Sequence, residues 1–334
     1  MTRALPVLLL AACIDPNRPL TEGELGELQF VDLTQHADGG LNTAGLGWPV
    51  AVGGEVDVGV YGWDEADGLI SAEIASGEGL EVVREAGVSV RLRAVGEGTS
   101  RVHVVTDDGR EDTFAVSASP LTGVELVRNG NADLFGLMVP PSLADVGEVF
   151  LPGANAGLAA LLFGVGDQRL TGELALPWVV APEVTVTPFD QIANGAWFSA
   201  SAGGSYPIDA GFGTAWTLEF LADDAPVTLK LFESSYDPLV ELTSITAPSG
   251  LVLLGAGLFD ADGRLVRTPD DANVELELID GPPNLLTNPG YSPVLLGFSA
   301  LACPGAGHVR VRLAGGVAEV PVEITGEAAA DCAP

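Results

Sequence analysis

Apolar and polar residues alternate along much of this 334-residue chain. Val56-Asp57-Val58-Gly59-Val60, the run VSVRLRAV from Val88 to Val95 and the run VELELI from Val274 to Ile279 each place an apolar side chain at every second position. A period of two gives one buried face and one wet face, which is the pattern of a half-buried β-strand. Gly (43) and Pro (23) are spread along the whole length, which favours many short strands joined by tight turns over helices. The pattern predicts an all-β protein. A chain of this length predicts more than one domain.

The alternation also repeats. GTSRVHVVTDDGREDTFAVSA (Gly98 to Ala118), GTAWTLEFLADDAPVTLKLF (Gly213 to Phe232) and GHVRVRLAGGVAEVPVEIT (Gly307 to Thr325) each read as strand, Asp- or Gly-rich turn, strand. Each therefore predicts a β-hairpin. A second motif precedes each one: VGVYGWDEADGLISAE from Val58, LAALLFGVGDQRLTGE from Leu158 and LLGAGLFDADGRLVR from Leu253. One unit of β-sandwich size thus occurs three times. The expected division is a signal over residues 1–12, a tether over 13–27, and sandwiches over 28–119, 120–235 and 236–334. The middle sandwich is divergent, because Ser142 to Leu162 reads as a Gly/Ala/Leu-rich insertion.

The strand–Asp-x-x-Asp-Gly–strand motif and the later run Gly96-Glu97-Gly98-Thr99-Ser100-Arg101-Val102-His103-Val104 resemble bacterial Ig-like (Big-type) domains of cell-surface proteins. The resemblance implies tandem Ig-like β-sandwich domains that act as spacers, stalks or adhesive modules. It implies no active site.

The N-terminus carries one positive charge, Arg3, then an apolar run from Ala4 to Ala12 that is too short to span a bilayer. Leu10-Ala11-Ala12-Cys13 resembles a bacterial lipobox. In that family the chain is cut before the cysteine, which then carries diacylglycerol and an N-acyl chain of palmitate type. Two or more acyl chains, at about 0.8 kcal/mol per buried methylene, hold a soluble domain on a membrane. Lipidation of Cys13 is the resulting expectation, with an ordinary signal peptide and an incidental cysteine as the other reading. Ile14 rather than Asp after the cysteine resembles the sorting signal for the outer membrane. Residues 14–27, IDPNRPLTEGELGE, have little to bury and read as a flexible tether. Cys303 and Cys332 then pair in an oxidising compartment or remain free thiols. A bridge between them would pin the C-terminus.

Composition narrows the function. The net charge is −32, with Lys230 the single lysine. Such a surface repels phosphate backbones, so no nucleic-acid partner is expected. It also repels an anionic leaflet, so attachment falls to lipid. Asp64, Asp67, Asp260 and Asp262 stand at short spacings before glycines and are candidate calcium ligands, but the downstream carboxylates of an EF-hand loop are missing. Asp and Gly are also what tight turns require. His36, His103 and His308 share no zinc spacing. Gly203-Gly204-Ser205-Tyr206-Pro207 lacks the second glycine of a nucleophile elbow, and no phosphate-cradling loop is present. Trp178, Trp197, Trp216, Tyr206 and Phe198 cluster in the middle unit, as core or as a sugar-binding face.

The expected function is an exported, lipid-anchored cell-envelope protein, structural, adhesive or interacting, with no catalysis and no cofactor. The alternative is a glycan- or calcium-binding surface lipoprotein that uses the middle domain. A hydrolase without a visible motif is the third class.

Overall fold

A computed structural model describes residues 20–34, 45–62, 68–128, 147–189, 194–213, 215–233, 241–269, 272–290 and 297–327. Among these residues the regular structure is strand, with two short 3-10 turns and no α-helix.

Three sandwiches follow one another, and all use one strand order. In the first, one sheet runs Gln29–Asp32, Glu55–Tyr61, Ser89–Ala94, Leu80–Ala86 in space. The facing sheet runs Val50–Ala51, Glu111–Ser119, Gly98–Thr106, Leu69–Ser76. The third repeats this with Thr228–Glu233, Gly250–Phe259, Gly297–Ala302 and Leu286–Gly290 against Ile245–Pro248, Gly316–Thr325, Gly305–Leu313 and Glu275–Asp280. In the second, Gly123–Arg128, Ala156–Phe163, Gly195–Ala200 and Val184–Pro188 face Glu148–Phe150, Ala215–Phe220 and Gly204–Asp209. A single antiparallel bridge, Val179 to Asp209, stands where the last strand belongs. This is the Ig-like Greek-key arrangement. In every copy a short early strand pairs in parallel with the last strand: Val50 with Ala118, Phe150 with Phe220, Ile245 with Val322.

The expected hairpins form at Gly98–Thr106/Glu111–Ser119 and Gly305–Leu313/Gly316–Thr325. The middle one does not. Ala215–Phe220 pairs back onto Gly204–Asp209, and Thr228–Glu233 is bonded along its length to Gly250–Phe259. The middle hairpin therefore lies one strand earlier than the pattern indicates, and Thr228–Glu233 opens the third sandwich. The physical reason is Pro207, which interrupts the strand signal of Gly204–Asp209 but is tolerated because that strand is a sheet edge. The Gly/Ala/Leu-rich run is no insertion either. Its described part supplies Glu148–Phe150 and Ala156–Phe163, two strands of the sandwich.

Each sandwich closes over its own apolar core. Phe30, Val58, Val90, Leu92, Val102 and Phe114 fill the first, with the Phe30 and Phe114 rings stacked at 4.2 Å. Leu158, Phe198, Ile208 and Phe220 fill the second. Leu231, Leu258, Leu285, Val309, Val311 and Val322 fill the third. The strand Glu148–Phe150 serves two cores at once. Side chains alternate across a strand, so Phe150 enters the second core and Val149, fully buried, enters the third.

Truncating Phe150 to Ala is expected to cost about 3–5 kcal/mol, the usual range for a buried phenylalanine. The loss should reach the third sandwich. The amide of Leu265, bonded to the Gly147 carbonyl, should exchange faster in Phe150→Ala when followed by hydrogen exchange. Faster exchange confined to the second sandwich would show that the shared strand does not couple the cores.

Candidate functional site

The sequence-predicted chemistry disperses when placed on the fold. Asp260 is a turn residue. Its Oδ1 accepts the amides of Asp262 (3.0 Å) and Arg264 (2.8 Å), and its Oδ2 accepts Nε of Arg264 (2.8 Å). Burial pushes the Asp260 carboxyl up. The Arg264 amide and guanidinium, with the Asp262 amide, outweigh burial and hold it below the usual range. Its stabilising contribution is therefore complete above the ordinary carboxylate range and is lost as pH falls through the depressed value. Asp262 is exposed, with an oxygen 3.8 Å from Arg264. Asp64 and Asp67 lie outside the described residues, as do Cys13, Cys332 and His36. Among the described residues no three His, Cys, Asp or Glu side chains gather as a metal-binding group. His103 lies 3.6 Å from Glu111, and His308 lies 3.1 Å from Asp280. Cys303 is buried beside the end of Gly297–Ala302.

The middle-unit aromatics mostly meet one another. Phe198 is fully buried and takes Trp178 edge-on at 5.2 Å. Trp197 points to the other face of its strand and meets Phe189 edge-on at 4.8 Å. Tyr206 packs on Phe220 at 5.8 Å and donates its hydroxyl to the Ala202 carbonyl. Trp216 keeps an exposed face. Edge-to-face contacts of this kind belong to packing.

What the fold does bring together is a pair of junctions, built alike. In the second and third sandwiches a short segment after the long strand turns back onto the preceding sandwich. In the second it is Arg169-Leu170-Thr171-Gly172-Glu173, and in the third it is Leu265–Arg267. Both dock on the short parallel strand of the unit before, on the edge away from that unit's last strand. At the first junction the Ala51 amide donates to the Thr171 carbonyl and the Thr171 amide to the Pro49 carbonyl, both at 2.9 Å. Glu55 and Glu173 exchange amide-to-carbonyl bonds of 2.9 and 2.6 Å. At the second junction Glu148, Val149 and Phe150 pair in parallel with Leu265, Val266 and Arg267. The sheet of the second sandwich thereby continues into that of the third.

Side chains complete each junction. Asp32 of the first sandwich, buried, accepts the Thr171 hydroxyl at 2.7 Å and the Thr34 amide at 2.8 Å. The Arg169 guanidinium sits over Trp48 of the first sandwich (5.4 Å) and Phe163 of the second (5.6 Å), a cation–π contact on two faces. Arg91 bonds Glu173 across the boundary. Asn194 holds the segment in place, accepting the Leu174 amide (2.6 Å) and donating to the Gly172 carbonyl (2.8 Å). Gly172 has φ +106, and a Cβ there would come within 3.0 Å of Val50 Cγ1, so glycine alone allows this approach. At the second junction Arg267 Nε donates to the nearly buried Glu148 carboxylate at 2.8 Å, which Arg128 also bonds. Arg264 bonds Glu219.

These residues were missed as junction elements in the sequence. The available signal was the arginine shared by Asp167-Gln168-Arg169-Leu170 and Asp262-Gly263-Arg264-Leu265 and missing from the matching Asp67-Gly68-Leu69-Ile70 of the first unit.

No protein-family model matches the chain, and no curated protein matches it. Among solved structures, domains 4–9 of the surface-layer protein SbsC align over 93% of this chain and 47% of that one, at 15% identity and a TM-score of 0.23. The chain thus spans about half of that fragment's length. The Escherichia coli adhesin FdeC aligns over 93% of this chain and 100% of that one, at 11% identity and a TM-score of 0.26. The endo-fucoidan hydrolase MfFcnA4 aligns over 84% and 43%, at 11% identity and a TM-score of 0.24. At such scores the chains do not superpose as wholes. The Ig-like assignment rests on the strand order described above.

Thr171→Val removes the hydroxyl that serves the buried Asp32 carboxylate while keeping the side chain's shape. The expected cost is about 1–3 kcal/mol, the penalty for a buried acceptor left short of a donor. Urea denaturation measures it. An unchanged midpoint would show that this bond contributes nothing to the first junction.

Proposed function

We propose that this chain is a non-catalytic structural or adhesive module of the cell envelope. It is exported and held to the outer membrane by lipid on Cys13, and its three sandwiches act as one stiff arm. The observation that carries the reading is the construction of the junctions. Flexible interdomain linkers are usually polar, exposed and crossed by few contacts. Here both boundaries are crossed by backbone hydrogen bonds, the first also by the buried Thr171–Asp32 bond and the second by the partly buried Arg267–Glu148 ion pair. Such boundaries suit a part that must hold a distal surface at a fixed distance and angle.

The surface fits the same reading. Charges on the outer sheet faces are paired into ladders, such as Glu277 with Arg310 and Arg312, and Arg310 with Glu319. These exposed pairs add little stability, but they keep the sheet faces wet. Exposed edges are blunted by Pro207 in one strand and by bulges in Leu69–Ser76 and Leu80–Ala86. Protein or glycan partners at the far end are the interaction this arm would serve. A Cys303–Cys332 bridge would clamp the end of the last sandwich.

The anchor is tested by metabolic labelling with a fatty acid in cells that make the full chain. Wild type should take up label and fractionate with membranes, and Cys13→Ala should do neither. Unlabelled wild type would remove the anchor from this proposal.

A further inference from the structure

Residues 20–27 read as tether by composition, yet they are folded onto the first sandwich. Thr21–Glu22 pairs with Gln29 and Phe30 in one sheet. The loop that follows crosses to the other sheet, where the Glu24 amide donates to the Thr113 carbonyl at 2.8 Å. At the centre is Asp112, fully buried on Glu111–Ser119. Its Oδ1 accepts the amides of Leu25 (2.8 Å) and Thr113 (2.7 Å). Its Oδ2 accepts those of Glu27 (2.8 Å) and Leu28 (3.0 Å). Leu28, at the end of the loop, is fully buried in the core.

We propose that Asp112 is a latch that fastens the N-terminal strap, residues 20–28, across both sheets of the first sandwich and sets where the folded body begins. Four amides converge on one carboxylate, and three of them come from the strap. Hydrogen bonds to a charged acceptor are among the stronger ones in proteins. Gly23 is part of the device, since a Cβ there would lie 2.2 Å from Asp112 Cγ. Around it, Arg101 bonds Glu24 at 2.6 Å, and the Glu27 carboxylate accepts the Glu111 amide at 3.2 Å. Burial pushes the Asp112 carboxyl up, but the amides of Leu25, Leu28, Thr113 and Glu27 outweigh it and hold it below its ordinary value, so it is charged at neutral pH. The second and third sandwiches open directly on their first strands, Gly123–Arg128 and Thr228–Glu233. The strap belongs to the first sandwich, on the side where the chain would leave for the membrane. A pull on the chain from that side meets bonds in two sheets before it can peel one strand. This mechanical meaning rests on anchorage through Cys13, whereas the latch itself does not.

The test is amide hydrogen exchange of the full chain at neutral pH. In wild type, Leu25, Glu27 and Leu28 should exchange no faster than the central strands of the first sandwich. In Asp112→Asn an amide nitrogen must face two of the donors, and exchange at these residues should rise about 100-fold, the scale of losing more than one charged hydrogen bond. Amides of Gly305–Leu313 should be unchanged. Should Asp112→Asn unfold the first sandwich, Gly23→Ala displaces the carboxylate without altering it and should speed the same three amides. Equal protection in either folded variant, or unprotected strap amides in wild type, would overturn the latch. Both outcomes are read without any lipid on Cys13, so they are independent of the anchor experiment.

Discussion

A strand has two edges, and the short parallel strand of each of the first two sandwiches uses both. One edge bonds the last strand of its own sandwich. The other bonds a segment of the sandwich that follows: Val50 meets Thr171, and Glu148–Phe150 meets Leu265–Arg267. Backbone pairing is directional and must be satisfied once it is buried. A boundary closed this way fixes both the distance and the rotation between neighbours. The Arg169 stack on Trp48 and Phe163 and the Arg267–Glu148 pair then fill the space around it. The third sandwich cannot repeat the bond that the Ala51 amide makes. Val52 and Ser249 donate alike to the last residue of their final strands, Ser119 and Thr325. This places Pro248 at the position of Ala51, and proline has no amide to give.

The same economy appears inside the units. Alternation sends Val149 into one core and Phe150 into another, so one short strand holds two hydrophobic interiors together. Asp112 does for the N-terminal strap what the returning segments do between sandwiches. It converts a polar, glycine-containing stretch into fixed structure by giving its amides a buried partner.

Much of this fold is visible in the residue pattern, because period-two alternation reports a half-buried strand wherever it occurs. The hairpins of the first and third units could be read from alternation and turn residues alone. Alternation does not say which strand pairs with which. Thr228 to Leu231 alternates, yet the partner of this strand is Gly250–Phe259 rather than the strand before it. Pro207 hid Gly204–Asp209 from view. The strap was misread for a related reason. Its composition has little to bury, and the group that orders it is 87 residues from Leu25. The junctions are likewise made by contacts distant in sequence. Only the shared Asp-x-Arg-Leu of the second and third units hinted at them. The expected anchor and C-terminal clamp depend on Cys13 and Cys332, which lie outside the described residues.

Backbone bonds across both boundaries should make the three Ig-like sandwiches move as one body. The most direct measurement is the distance distribution between two spin labels, carried on unnatural residues at the exposed positions Val83 and Val317, by pulsed dipolar spectroscopy. A single narrow distribution is expected, and it should broaden in Thr171→Pro, which removes the amide bonded to the Pro49 carbonyl. A broad distribution in the wild-type chain would mean that the sandwiches swing independently, and would contradict it.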